Sequence, residues 1–215
     1  MIKTILILFI LTVYIQTQAQ EHVFRPGIII NFNGIHIEGD NDLFWDSTDG
    51  SIFGGGGVSF GAFVTYDSFK KLIGTLEIRY NRKGSIYDFK NSFGQRDFEE
   101  LKLHYIEMPL LIGINGKIKN AETVLETGFG FSRLINSKIL FDDLTERSRT
   151  PSTLGFKKYD ISWIADLKFR IGKNKSFLLG GRFEYSIFSI HNYYNLHNMN
   201  YGIELNYYLF NNRLR

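Results

Sequence analysis

Long runs of period-two alternation constrain this 215-residue chain more than any other feature. In the segment 159–171, YDISWIADLKFRI, the odd positions are Tyr159, Ile161, Trp163, Ala165, Leu167, Phe169 and Ile171. Its even positions include Asp160, Ser162, Asp166, Lys168 and Arg170. Over 72–84, Leu72, Gly74, Leu76, Ile78 and Tyr80 alternate with Thr75, Glu77, Arg79 and Asn81. Over 176–188, Phe177, Leu179, Gly181, Phe183, Tyr185 and Ile187 alternate with Gly180, Arg182, Glu184 and Ser186. Over 199–210, Tyr201, Ile203, Leu205, Tyr207 and Leu209 alternate with Gly202, Glu204 and Asn206. A pleated strand turns successive side chains to opposite faces, so each segment reads as a strand with one apolar and one polar face. Four segments are less regular: 25–36, whose register is ambiguous, 57–67, 101–114 and 122–134. In 101–114, Ile106, Met108, Leu110, Ile112 and Ile114 share a face and Glu107 opposes them. In 122–134, Leu125, Thr127, Phe129 and Phe131 oppose Glu126. Pro109 has no backbone donor, so a bulge or local irregularity is expected there.

The connections carry the topology. Short ones at 68–71, 115–121 and 172–175 alternate strictly with longer polar ones at 37–56, 85–100, 135–158 and 189–198. Eight strands joined this way form an up-and-down antiparallel sheet with both termini at the short-turn end. The 20 Phe and 12 Tyr suit pleated strands, and the 21 Gly suit their turns and bends. A chain without Cys has no disulfide and no thiolate chemistry, and a net charge of +3 gives no reason to expect nucleic acid. The start, MIKTILILFILTVYIQTQAQ, has a cationic Lys3, an apolar run from Ile5 to Val13, and small residues at Thr17 and Ala19. This is the pattern of a secretory signal peptide over 1–19, leaving a barrel domain over 20–215 that begins at Gln20.

Two closed architectures fit eight antiparallel strands. A soluble barrel buries its apolar face and shows charge to water, whereas a membrane barrel reverses this. The expected strands run 11–14 residues, enough for the ~9–11 tilted residues that cross a bilayer. Their apolar face is strongly apolar and aromatic. Charges of both signs interleave on the polar face, although a solvated face tolerates that pattern too. With the export signal, these features favour an all-β, eight-stranded up-and-down antiparallel transmembrane β-barrel. Leu76, Ile78, Trp163, Leu167, Phe183 and Leu205 are then expected to face lipid. Glu77, Arg79, Glu107, Glu126, Asp166, Lys168, Arg170, Arg182, Glu184 and Glu204 are expected to face the lumen. Eight strands leave an interior just wide enough for side chains, so these charges should pair and plug it, leaving no wide pore. Aromatic girdles are expected from Tyr66, Phe69, Phe169 and Phe177 at the turn end. At the loop end they would come from Tyr80, Tyr87, Tyr105, Tyr159, Tyr193 and Tyr194.

Several stretches resemble the PorT-like outer-membrane β-barrel family of Gram-negative bacteria. They are the early Pro26-Gly27-Ile28, the run LEIRYNRKGS from Leu76, Tyr105-Ile106-Glu107-Met108-Pro109-Leu110-Leu111, and the closing Tyr201 to Phe210. The resemblance covers nearly the whole mature chain through short motifs. It departs at the end, where Phe210 is followed by Asn-Asn-Arg-Leu-Arg rather than closing the chain. It implies an eight-stranded outer-membrane barrel, in a family whose name-giving members take part in secretion and gliding machinery.

Candidate chemistry is sparse. Small outer-membrane hydrolases combine Ser, His and a carboxylate, yet His104 meets Ser85, Glu99 and Glu100 only if the second loop folds back. His191 and His197 frame HNYYNLH without further ligands, and Asp40, Asp42, Asp46 and Asp49 lack the spacing of a calcium loop. The glycines 54–57 are followed by no Gly-Lys-Ser/Thr and read as a bend. No catalytic, cofactor-binding or metal residue is assigned, and no cofactor is expected. The expectation is a non-enzymatic outer-membrane barrel with a structural role, or a place beside envelope or secretion-complex proteins, in contact with outer-membrane lipid. The alternatives are a lipid A- or phospholipid-modifying barrel enzyme and a soluble exported lipocalin-like binding barrel.

Overall fold

The computed structural model describes residues 23–39, 51–53, 55–67, 71–90, 96–119, 121–141, 146–149, 155–172 and 175–209. The signal-peptide segment 1–19, Gln20, the four first-loop aspartates, Phe69 and the tail from Phe210 lie outside the described residues. The strands are β1 (Val23–Gly39), β2 (Ser51–Phe53), β3 (Gly55–Asp67), β4 (Leu72–Lys90) and β5 (Arg96–Ile118). They continue as β6 (Ala121–Phe141), β7 (Glu146–Arg149), β8 (Tyr159–Ile171), β9 (Phe177–Ser186) and β10 (Leu196–Tyr208). Eight of these form a closed antiparallel up-and-down barrel. Each pairs with its neighbours in the chain, and β1 pairs with β10 from Gly27–Tyr208 to Gly39–Leu196 to shut the ring. The short β2 and β7 add to β4 and β6 above it. Closure leaves the barrel no sheet edge, which is the condition for a sheet in hydrocarbon.

Alternation puts the aliphatic and aromatic side chains of every strand outside. Phe32, Ile78, Leu110 and Ile203 are 59%, 60%, 59% and 63% exposed, values that no soluble core residue shows. Such a belt belongs to a protein whose solvent is lipid.

The structure departs from the sequence expectation in strand length. Four strands are longer than 14 residues: β1 has 17 and, on one side of the barrel, β4 has 19, β5 has 23 and β6 has 21. The second loop therefore does not span 85–100, because β4 and β5 stay paired up to Lys90–Arg96. The strand does not end at Gly84. Gly84 takes a left-handed φ of 139° while opposite Lys102, and a Cβ there would lie 1.9 Å from the Leu101 carbonyl oxygen. Glycine thus lets a strand kink and continue where the sequence suggests it stops.

At Pro109 the expected irregularity takes the form of a break in pairing, not a bulge. The β4–β5 ladder breaks between Leu76–Leu110 and Arg79–Glu107, the span that holds Pro109, but the register is unchanged across it. The bulge lies higher, where His104 pairs with Asn136 and Tyr105 with Leu134, leaving Ile135 as the extra residue. Lys71, Lys119 and Lys175 have φ of 71°, 54° and 53°, and the second turn is reduced to the two residues between Ile118 and Ala121.

Candidate functional site

The lumen is where this fold gathers its chemistry. Inward positions on β4, β5, β6, β8, β9 and β10 carry charge because parity holds along the stretches that bear it, and each charge is buried. Arg182 on β9 is the centre of the lower cluster. Its guanidinium donates to Glu77 at 2.7 and 2.8 Å and to Asp166 at 2.7 and 2.5 Å, and its Nε lies 2.8 Å from Glu204. Lys168 binds Glu126 at 2.8 Å, Glu204 at 2.9 Å and Asp166 at 3.2 Å, and Thr75 donates to Glu126 at 2.5 Å.

In the adjoining upper cluster, Arg79 Nε donates to Glu107 at 2.6 Å and its Nη2 donates to Glu184 at 2.7 Å. Asn81 donates to the same two carboxylates at 3.0 and 3.2 Å, and Ser132 donates to Glu107 at 2.9 Å. Lys83 completes it, binding Glu184, Asp160 at 3.2 Å and Glu107 at 3.5 Å. Ser186 and Asn198 also donate to Asp160, at 2.8 and 3.2 Å. An isolated charge at this depth would cost several kcal/mol; here every cation touches two or more carboxylates.

The structure therefore brings nine of the ten residues singled out for the lumen into these two clusters. Arg170 stands apart at the turn end, donating to Asn115 at 2.8 Å beside Asp67, which Arg25 also binds. Sequence reasoning missed Lys83, Asp160, Arg25 and Asp67. A signal for Lys83 exists, since it continues the parity of Glu77, Arg79 and Asn81. The Gly84 that follows it masks that signal by suggesting a loop exit.

The charged layer is enclosed between two apolar ones, which alternation alone does not reveal. Towards the turns lie Ile29, Phe63, Ile73, Val124, Leu178 and Tyr208. Towards the loops lie Ile37, Leu101, Leu103, Tyr105, Leu134 and Leu196. Phe156 and Ile190 join them from the segments that precede β8 and β10. Tyr105 thus faces the lumen, fully buried, and is not part of a girdle, because its parity is that of Glu107. Tyr87 has no described side chain.

The outward positions are as plain. Leu76, Ile78, Trp163, Leu167 and Leu205 are exposed, and Phe183, half-buried, packs edge-on against Trp163 at 5.9 Å. At the turn end, Phe24 lies 5.1 Å from Tyr66 and Phe177 lies 4.8 Å from Tyr207, ring to ring. At the loop end, Phe60 lies 5.2 Å from Tyr80.

No catalytic grouping forms among the residues considered. Ser85 is buried on the inward face, whereas His104 belongs to the outward face and bonds Tyr80 through Nδ1. His191 is buried against Phe156 and Tyr194, with Nδ1 accepting from the Tyr193 and Tyr194 amides at 3.2 Å. His197 stacks on Tyr185 instead, so the two histidines do not converge. Among the described residues, no three His, Asp or Glu side chains are placed to hold a metal ion.

A family model described as "Outer membrane protein beta-barrel domain" matches residues 15–192. No curated protein matches the chain. Solved structures that resemble it include Ail of Yersinia pestis, at 12% identity and a TM-score of 0.43, covering 86% of this chain and 97% of Ail. Neisserial surface protein A shares 9% identity, with a TM-score of 0.48 and coverage of 86% and 97%. OprG from Pseudomonas aeruginosa shares 13%, with a TM-score of 0.39 and coverage of 87% and 94%. Likenesses this distant do not bear on function.

Proposed function

This chain belongs to the outer membrane protein β-barrel domain family and lies in the outer membrane, and on that premise we propose that it acts as a non-enzymatic barrel without a wide pore. Its role on this reading is structural, or that of a membrane-embedded partner in an envelope or secretion complex. The observation that carries the proposal is the filled lumen. Paired charges between two apolar layers support a lumen without a wide pore, and on this reading the surfaces left for function are the lipid-facing wall and the loops. Within the family we place the chain with the PorT-like barrels; the supporting residues are Tyr105 to Leu111 and Tyr201 to Phe210. The amino-terminal 19 residues serve, on the same reading, as a cleaved export signal.

Crosslinking in intact cells followed by purification of the barrel tests the partner role. Reproducible envelope proteins in the crosslinked product are expected. A lipid A and phospholipid profile altered by deletion of the gene, and restored by the wild-type chain, would instead assign it an enzymatic role and overturn the proposal.

A further inference from the structure

The outer wall above the apolar belt is not uniform around the barrel. Tyr80, Ile106, Arg133 and Tyr159 form one outward row across β4, β5, β6 and β8. Outward tyrosines mark the depth at which hydrocarbon gives way to headgroups. Arg133 stands exposed in that row. Two residues higher on β4 is Arg82, and four residues higher on β5 is Lys102, opposite Lys138 of β6. At ~3.4 Å per residue and a tilt of about 40°, these levels lie about 5 and about 10 Å above the tyrosines. Lys158 flanks them. Its carbonyl accepts from the Leu134 amide at 2.8 Å, and its Nζ sits 5.6 Å from the Tyr159 ring centroid. Among the described side chains here, Glu100 is the carboxylate, binding Arg82 and lying 3.0 Å from Lys102. Among the described side chains, the cations Arg82, Lys102, Arg133, Lys138 and Lys158 and the carboxylate of Glu100 occupy this face, and Lys138 has a polar partner of its own. The described outward positions at the loop ends of β1 and β10 carry His36, Glu38, His197, Met199 and Tyr201, with no Lys or Arg.

The geometry points to the β4–β6 face as a binding surface for the phosphorylated headgroups of an outer-leaflet glycolipid. The source of the phosphate is a lipid because the cations continue the same outward face as Ile106, Leu110, Phe129 and Phe131. One molecule can lay its acyl chains on the belt and its phosphates on the basic rows. The inference rests on the outer-membrane placement above and is independent of whether the barrel has protein partners.

The test uses the barrel folded in an uncharged detergent and titrated with diphosphoryl lipid A. Lipid retained on gel filtration gives the affinity, and heat-modifiable migration confirms the fold. Wild type should bind, and the triple variant Lys102→Glu, Arg133→Glu, Lys138→Glu should bind on the order of 100-fold more weakly, at about fivefold per basic residue. Lys117→Glu, at the turn end, should bind as wild type. Dephosphorylated lipid A should bind weakly to all, and inorganic phosphate should not displace the diphosphoryl form. Should charge reversal prevent folding, the Gln triple variant at the same positions gives the same comparison.

Three results would overturn the inference: equal affinity in a compact triple variant, equal binding of dephosphorylated lipid, or displacement by inorganic phosphate. A fourth is loss of a co-purifying protein from the variant with lipid binding unchanged, which would assign the face to that protein. None of these touches the filled lumen, which conductance and crosslinking measure separately.

Discussion

Arg182 holds three carboxylates of the lumen, Glu77, Asp166 and Glu204, and its loss would leave them facing one another with Lys168 as the nearest cation. Arg182→Met is expected to destabilise the barrel by about 3–5 kcal/mol in urea unfolding followed by heat-modifiable migration. Adding Glu77→Leu, which removes one of the orphaned carboxylates, should recover part of that loss, and a strictly additive further loss would contradict the network. On the opposite face of β4, Leu76→Arg places a charge among lipid-facing side chains, at an expected cost of about 2–4 kcal/mol near the bilayer midplane. Its yield in the outer-membrane fraction should fall well below that of Glu77→Gln, which keeps a polar group in the lumen. Parity makes these residues legible from sequence: Glu77, Arg79, Arg182 and Glu184 follow from counting by twos. Position within the lumen is not legible, because Arg170 has the parity of Asp166 and Lys168 but lies at the turn end with Asn115.

At the level of elements, β4, β5 and β6 are the longest strands, and the segments that precede β8 and β10 pack against their inner face. Phe156 and Ile190 pack onto Leu101, Leu103 and Tyr105, and the Lys157 amide donates to the Ile190 carbonyl at 2.7 Å. Phe156→Ala should cost about 3–5 kcal/mol locally. Hydrogen exchange should accelerate at 155–158 and 189–196 while the strand amides near Arg182 remain protected. Gly84→Val should unpair the upper part of β4 from β5, seen as new exchange from Ser85 upward with the lower strand intact, because its side chain would meet the Leu101 carbonyl. Strand existence is readable because alternation persists over ten residues or more. Strand ends are not, because glycine and polar residues mark a loop and a paired kink alike, and only cross-strand pairing separates the two.

The whole molecule is a closed barrel with lipid-facing aliphatics outside and a layered, filled interior. The strict alternation of short and long connections makes the topology legible in the amino-acid order alone. The apolar layers inside are hidden there for a definite reason. Ile73, Val124 and Leu178 sit beside outward apolar neighbours, so they look like breaks in the alternation rather than inward residues of a second core. On the proposed reading those layers seal the charged lumen, since paired charges alone admit water between them. The most direct test is single-channel recording of the purified barrel in a planar bilayer, with its insertion confirmed by protease protection. A sealed lumen predicts no stepwise conductance above that of the protein-free bilayer, for wild type and Phe156→Ala alike. Steady, uniform steps from the wild-type barrel would show a continuous aqueous path and contradict the account.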